Sequence, residues 1–170
     1  IGPGAGGHSA LFARHGANVT AIDITQVRAD ATAQKFKILG ADDCVAMQGD
    51  AEDLPFDDGA FDIVYSNGVL HHTTSTGTAL DEAFRVLKPG GRAVISDIVC
   101  DRDPGPEILA DPELWSGCIA GAFREDRFIE MFAEAGFQGM EILVRQDEPW
   151  RVIKGVEFRS MTVRAWKPQA

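Results

Sequence analysis

The 170-residue sequence has no apolar run of the length a bilayer core demands, and it does not open with the basic-then-apolar pattern of a secretory leader. These two absences predict a chain without a membrane span and place it in the cytoplasm. Cysteine is scarce. Cys44, Cys100 and Cys118 are odd in number and separated by wide, unequal gaps, which suits neither a disulfide framework nor the short CxxC spacing of a zinc site. Reduced thiols are the expectation. No two histidines and a carboxylate have facial-triad spacing, so no metal is predicted. Basic residues are also in deficit: 16 Lys and Arg against 26 Asp and Glu leave a formal charge of −10, with no basic cluster to meet a phosphate backbone. The composition therefore predicts no nucleic-acid partner, and it leaves the oligomeric state open. No internal repeat or low-complexity tract interrupts the chain.

What is present is a 45% hydrophobic sequence of single-domain length, able to bury roughly 70% of the surface its unfolded chain exposes. Residues 1–170 are read as one domain. It opens on Ile1 and a glycine loop with no strand to aim that loop, so further residues are expected upstream. A helix over 8–15, stopped by Gly16, is followed by a strand from Val19 to Ile22 that ends at Asp23. Thr25 can cap a second helix with Val27, Ala31 and Ile38 near one face, closed by Gly40. Strands are predicted over Cys44–Met47, Phe61–Tyr65 and Ala93–Ile98, with two more over about Met140–Val144 and Ser160–Ala165. Leu80, Ala83, Phe84 and Leu87 form the stripe of a helix lying on a sheet, and Phe128, Met131, Phe132 and Ala135 mark another, ended by Gly136.

Strand and helix in alternation predict an α/β fold: a three-layer sandwich around a mostly parallel sheet, with ligands outside the carboxyl ends of the strands. Between Asp101 and Ala122 the periodicity fails, with prolines at 104, 106 and 112. A structureless stretch of that length is unusual in a compact domain, so 101–122 is a candidate substrate lid. Trp115, Phe123 and Trp150 are read as core or cap packing, and the doublets Asp42-Asp43 and Asp57-Asp58 as solvated turns.

Gly2-Pro3-Gly4-Ala5-Gly6-Gly7 lets the backbone turn sharply and approach a ligand, and the helix after it aims its amides at that ligand. Gly2, Gly4 and Gly7 satisfy the dinucleotide pattern GxGxxG, while Gly2, Gly4 and Gly6 satisfy the GxGxG of nucleoside-binding methyltransferases. Asp23, at the end of the next strand, suits two ribose hydroxyls in either family. Asp50-Ala51 discriminates. It follows the third strand, where a carboxylate can meet an adenine amino group and an amide a ring nitrogen.

The pieces IGPGAGG, AIDIT, GDAEDLPF, FDIVYSNGVLHH, ALDEAFRVLKPGGR and AVISDI, spread over residues 1 to about 98, resemble a class I S-adenosylmethionine-dependent methyltransferase. The resemblance implies a Rossmann-like sheet of seven strands in the order 3-2-1-4-5-7-6, the seventh antiparallel, with the first strand largely missing here. It implies S-adenosylmethionine as cofactor, with Gly2, Gly4 and Gly6 at its methionine moiety, Asp23 at the ribose, Asp50 and Ala51 at adenine, and Asn67 nearby. An NAD-dependent oxidoreductase is permitted by the glycine loop and Asp23, but no second domain or Tyr/Lys pair accompanies them. A non-catalytic cofactor-binding module would carry the same binding motifs.

Where methyltransferases of exocyclic or amide nitrogens carry a proline-containing motif, this chain has Ser66-Asn67-Gly68-Val69, which is similar to the quinone-type, small-molecule branch. His71 is a candidate general base, because imidazole exchanges protons near neutral pH; His71 and His72 can equally be packing residues at a helix start. The second half, from Leu114 to Ala122 and from Gly155 to Ala165, is similar to arsenite methyltransferases, which implies an arsenic-binding thiolate at Cys118. The partner cysteine expected in the fourth-strand loop is Gly68 here. Cys118 is accordingly either a substrate-facing thiol or a buried structural one.

Overall fold

The computed structural model describes residues 1–116, 119 and 121–169. They form two compact units, residues 1–55 and residues 56–170.

The first unit contains α1 (Gly7–Arg14), β1 (Thr20–Asp23), α2 (Gln26–Leu39) and β2 (Val45–Gln48). The two strands pair in parallel, with Thr20 opposite Val45 and Asp23 opposite Gln48, so both carboxyl ends lie at one edge. Helix α2 ends as expected, with Gly40 in the left-handed conformation at φ 65°. Its buried face differs from the expectation. Val27 and Ile38 are 77% and 75% exposed, and Ala29, Thr32 and Phe36 face inward. These three stand at i, i+3 and i+7, the spacing of one helical stripe, and the small Thr32 receives the glycine loop. A Cβ on Gly6 would fall 2.9 Å from Thr32 Oγ1 and 3.1 Å from its Cα. Close approach of the loop thus places Thr32, and with it the stripe of Ala29 and Phe36, on the inner face. Thr25 precedes α2 without capping it, because its hydroxyl and amide both turn back to Asp23.

The second unit contains β3 (Phe61–Asn67), a 3-10 turn (Leu70–His72), α3 (Thr76–Val86), β4 (Leu87–Cys100), α4 (Pro106–Leu109), α5 (Pro112–Ser116), β5 (Phe123–Arg124), α6 (Glu125–Glu134), β6 (Gln138–Arg145), β7 (Arg151–Ile153) and β8 (Val156–Trp166). Its sheet runs β3-β4-β8-β6, with β5 on β4 and β7 on β8. β3 and β5 are parallel to β4, whereas β8 is antiparallel to β4, β6 and β7.

The α/β class therefore holds, and β8 runs against the other five strands of its sheet, as the antiparallel seventh strand implies; the difference is that the described strands form a two-stranded parallel sheet and a six-stranded mixed one, not a single seven-stranded sheet. The pairings β1-β2 and β3-β4-β8-β6 follow the order 2-3 and 4-5-7-6 of the family. Two short strands, β5 and β7, are extra to that order; β7 makes a two-residue hairpin with β8 through Lys154 and Gly155, at φ 49° and 81°. Both values suit the primed turn that matches strand twist, although lysine is a rare occupant of the left-handed region.

One face of the six-stranded sheet buries Val64 and Ser66 of β3, Ala93, Ile95 and Asp97 of β4, and Met161, Val163 and Ala165 of β8. Helix α3 contributes Ala79, Leu80, Ala83 and Val86 to the core, and α6 contributes Phe128, Met131 and Phe132. Phe132 meets Phe128 and Phe137 edge-on at 5.3 and 5.7 Å. At the carboxyl end of β4 a second cluster joins Cys100, Ile108, Ile119, Ala122, Val156 and Phe158. Residues 101–122 therefore include two short helices whose apolar residues anchor them to the β7-β8 hairpin. An ion pair between Lys154 and Glu107 adds a polar tie. Trp150 is 45% exposed and so does not pack as expected, whereas Phe123 stacks on Phe128 at 5.8 Å.

Candidate functional site

In residues 1–55, three segments far apart in sequence converge at the carboxyl ends of β1 and β2. The glycine loop is tied there by the Gly2 amide, which donates to the Ile22 carbonyl at 2.8 Å. The loop closes on itself through the Gly6 amide and the Pro3 carbonyl at 2.8 Å. Gly2, Gly4 and Gly6 have φ of 62°, 57° and 77°, which a β-carbon would strain. No atom lies within 4 Å of the position a Cβ would take on Gly4, so that side of the loop is open.

Asp23 closes β1 and is 9% exposed. Its Oδ1 accepts from the Thr25 amide at 3.0 Å and the Thr25 hydroxyl at 2.9 Å, which fixes the carboxylate. The Asp23 carbonyl accepts from the Gly49 amide at 2.9 Å, bringing the segment after β2 alongside. Asp50 is ordered in turn by the Glu52 amide, which donates to its Oδ1 at 2.9 Å, and Ala51 beside it is buried. An open glycine cradle, a held carboxylate at one strand end and a second carboxylate after the next are the groups that an adenosine-bearing cofactor requires. Gly2, Gly4, Gly6, Asp23, Asp50 and Ala51 are chemically compatible with such a group.

In residues 56–170 the site residues gather at the carboxyl ends of β3 and β4. Asn67 ends β3 with an exposed side chain and hydrogen-bonds the Tyr65 phenol. Burial raises the phenol's pKa and the bond to Asn67 opposes that rise. Gly68, at φ 68°, turns the chain into Leu70–His72, and its amide donates to the Ser96 carbonyl at 2.8 Å.

Asp97, only 2% exposed, lies under this turn. Its Oδ2 accepts from the Leu70 and His71 amides at 3.0 and 3.3 Å, and its Oδ1 from the Ile98 amide at 2.8 Å. The same Oδ1 accepts from His71 Nδ1. The carboxylate is thereby satisfied on all sides, as a buried charge must be. The remaining ring nitrogen is not: His71 is 3% exposed, and its Nε2 is buried with no hydrogen-bond partner among the described residues. With the Nδ1 proton directed at Asp97, Nε2 presents a lone pair.

His72 stacks on His71 at a centroid distance of 3.9 Å and a tilt of 42°. Burial holds its pKa below the ordinary imidazole value and charge on His71 lowers it further, against the pull of Asp97. The end of the 101–122 segment reaches the same place. A Cβ on Gly121 would collide with the His71 carbonyl, so only glycine permits this contact.

The structure thus unites six of the expected cofactor residues at one sheet edge and joins His71 to Asp97 at another. Cys118 lies outside the described residues. Sequence reading misses the bond between His71 and Asp97, because 26 residues separate them and the fold alone brings them together. Gly121 carried no local signal. Among the described residues no group of three or more His, Cys, Asp and Glu is arranged to hold a metal, and Cys44 and Cys100 are free thiols. Burial, followed by the charges of Asp101, Asp103 and Glu125, pushes the Cys100 thiol up to about 12. That thiol is no nucleophile at neutral pH.

Comparison with known proteins adds independent support. The family model described as a methyltransferase domain matches residues 1–95. Two curated relatives align over nearly the whole chain. The arsenite methyltransferase of Halobacterium salinarum is 29% identical over 178 residues, covering 99% of this chain and 46% of its own length. The O-methyltransferase resE of Aspergillus sclerotiorum is 30% identical over 173 residues, covering 96% of this chain and 62% of its own. The chain thus spans less than two thirds of the length of either. Among solved structures, the arsenic(III) S-adenosylmethionine methyltransferase of Chlamydomonas reinhardtii superimposes with a TM-score of 0.89 at 26% identity, covering 98% of this chain and 62% of that one. With more than half of its residues matched by the family model and its fold shared throughout, the chain belongs to the methyltransferase domain family, the class I S-adenosylmethionine-dependent enzymes.

Proposed function

We propose that the protein transfers a methyl group from S-adenosylmethionine to a small-molecule acceptor. The observation that carries this reading is the convergence of the glycine loop, Asp23 and Gly49–Ala51 at the carboxyl edge of β1 and β2. In it, loop amides and the positive φ of Gly2, Gly4 and Gly6 admit the methionine moiety, Asp23 accepts from the ribose hydroxyls, and Asp50 with Ala51 recognises adenine. Asn67 keeps the cofactor role that the family resemblance implies.

When bound, the cofactor supplies an electrophilic methyl on a sulfonium whose positive charge already activates the leaving group. The protein's work is therefore orientation, exclusion of water and, where the acceptor requires it, removal of a proton. His71 is the residue suited to that last task, and the segment 101–122 is the lid over it. Cys118 is the candidate substrate-facing thiol that the resemblance to arsenite methyltransferases implies.

Titration calorimetry with S-adenosylhomocysteine and, separately, NAD tests the reading. Binding of the first alone, weakened in Asp23→Ala, is the expected result. Binding of NAD alone, or an unchanged affinity in the variant, contradicts it.

A second reading, methylation of arsenite, draws on the 99% alignment to the Halobacterium enzyme. A soft metalloid needs several thiolates to hold it, and the fourth-strand loop offers Gly68 instead of a cysteine. Arsenite-dependent turnover that is lost in Cys118→Ser would favour this reading over the first.

A further inference from the structure

We infer, resting on the reading of the protein as a methyltransferase, that its acceptor is a weakly acidic hydroxyl, a phenol or an enol. His71 Nε2 takes the hydroxyl proton, and Asp97 is the positioning residue that fixes the ring. Three observations lead here. The Asp97 carboxylate engages Nδ1, which leaves the proton-accepting lone pair on Nε2. The two turn amides on Asp97 at 3.0 and 3.3 Å hold the backbone that carries the ring, so its orientation is set twice over. Nε2 itself is buried and unpartnered among the described residues, a state that costs free energy unless a ligand completes it.

A buried base of this kind is superfluous for some acceptors. A neutral amine and a thiolate-bound metalloid already expose the attacking lone pair, and a thiol ionises close to neutral pH. A phenol, with an ordinary pKa near 10, is a poor nucleophile until its proton leaves. In the step, the O–H bond gives its proton to Nε2 and its electron pair to oxygen. The oxygen–methyl bond forms as the methyl–sulfur bond breaks with its pair remaining on sulfur. The products are the methyl ether, S-adenosylhomocysteine and an imidazolium that returns its proton to water. Asp97 stabilises that imidazolium without taking the proton.

The titratable groups facing His71 among the described residues are Asp97 from β4 and His72 within the turn; the neighbouring α3 brings the hydroxyl of Thr76, which donates to the Leu70 carbonyl at 2.9 Å.

The test uses a series of substituted phenols of graded acidity, with sarcosine and arsenite plus thiol as contrasting acceptors, and reads S-adenosylhomocysteine release. The wild-type protein should methylate the phenols and not the other two. In His71→Asn the rate should fall about 10²–10⁴-fold on the least acidic phenols and only a few-fold on nitrophenols that are already ionised. Asp97→Asn should show the same graded loss, with kcat affected more than KM. Nitrogen-15 NMR of the histidine rings, which needs no cofactor, should find His71 neutral with its proton on Nδ1, and Asp97→Asn should relax that preference.

An equal loss across the whole series, a His71 proton on Nε2, or turnover confined to sarcosine or arsenite overturns the inference. S-Adenosylhomocysteine binding, measured in parallel, separates the two levels. Binding without phenol methylation defeats this inference alone, and no binding defeats the methyltransferase reading with it.

Discussion

Residues 1–55 and 56–170 assemble their functional groups in opposite ways. In the first, each part of the site is a short motif at the end of a strand: backbone bonds tie the loop to β1 and Gly49 to Asp23, and each carboxylate is held by a residue two positions on. In the second, the decisive contact joins His71 to a carboxylate 26 residues away, and one buried aspartate holds both the turn and the ring. Binding groups that meet backbone can be written locally, whereas a base with a fixed tautomer needs a second element to fix it. The first region is therefore held by local contacts and is sensitive to added β-carbons. The second depends on a single carboxylate.

The contrast breaks most visibly at Asp97. Asp97→Ala leaves the Leu70 and His71 amides and His71 Nδ1 without their buried acceptor. It should lower unfolding free energy by about 3–5 kcal/mol, read as a shifted urea midpoint. A loss under 1 kcal/mol would show that water replaces the carboxylate and that the turn is not hung on it.

The matching break in the first region is Gly6→Ala, which places a Cβ against Thr32 at a residue of φ 77°. The expected cost is about 1–3 kcal/mol, with a fall of tenfold or more in S-adenosylhomocysteine affinity. Gly4→Ala meets no atom and should cost less stability while still obstructing the cofactor. Equal effects of the two substitutions would remove the Thr32 contact from the account.

Asp23→Ala sharpens the comparison further. It should weaken S-adenosylhomocysteine by about 1–3 kcal/mol with the His71 tautomer unchanged, as expected if ribose binding and ring positioning are separate devices.

The smallest effect is chemical. In native protein at pH 8, iodoacetamide should modify the part-exposed Cys44 and spare Cys100, whose buried thiol is pushed up to about 12. Labelling of Cys100 at a rate comparable with Cys44 would show that the cluster under the 101–122 segment opens freely.

Much of this was legible before the structure. The glycine loop, Asp23 and Asp50 announce themselves by residue type and by position after a strand, and of the stripe Leu80, Ala83, Phe84 and Leu87 the first three lie in α3, whereas Leu87 opens β4. What escaped was set by distant chain. Val27 and Ile38 satisfy a helical stripe as well as Ala29 and Phe36 do, and only the approach of Gly6 to Thr32 decides between them. The β7-β8 hairpin hid behind Lys154, because lysine is not the residue from which a left-handed turn position is read. Alternation of helix and strand predicts the mostly parallel direction, and the family resemblance the one reversed strand, β8, but neither marks the short β7 that pairs with it. His71 was recognisable as a candidate base, but its tautomer depends on Asp97, and no local pattern links the two.

The most direct test of the central claim is the amide NMR spectrum of the protein recorded while S-adenosylhomocysteine is added. The account predicts the largest shifts at Gly2–Gly7, Asp23 and Gly49–Ala51, with α2 residues such as Val27 and Ile38 unmoved. A spectrum that does not respond, or shifts centred on α2, would contradict it.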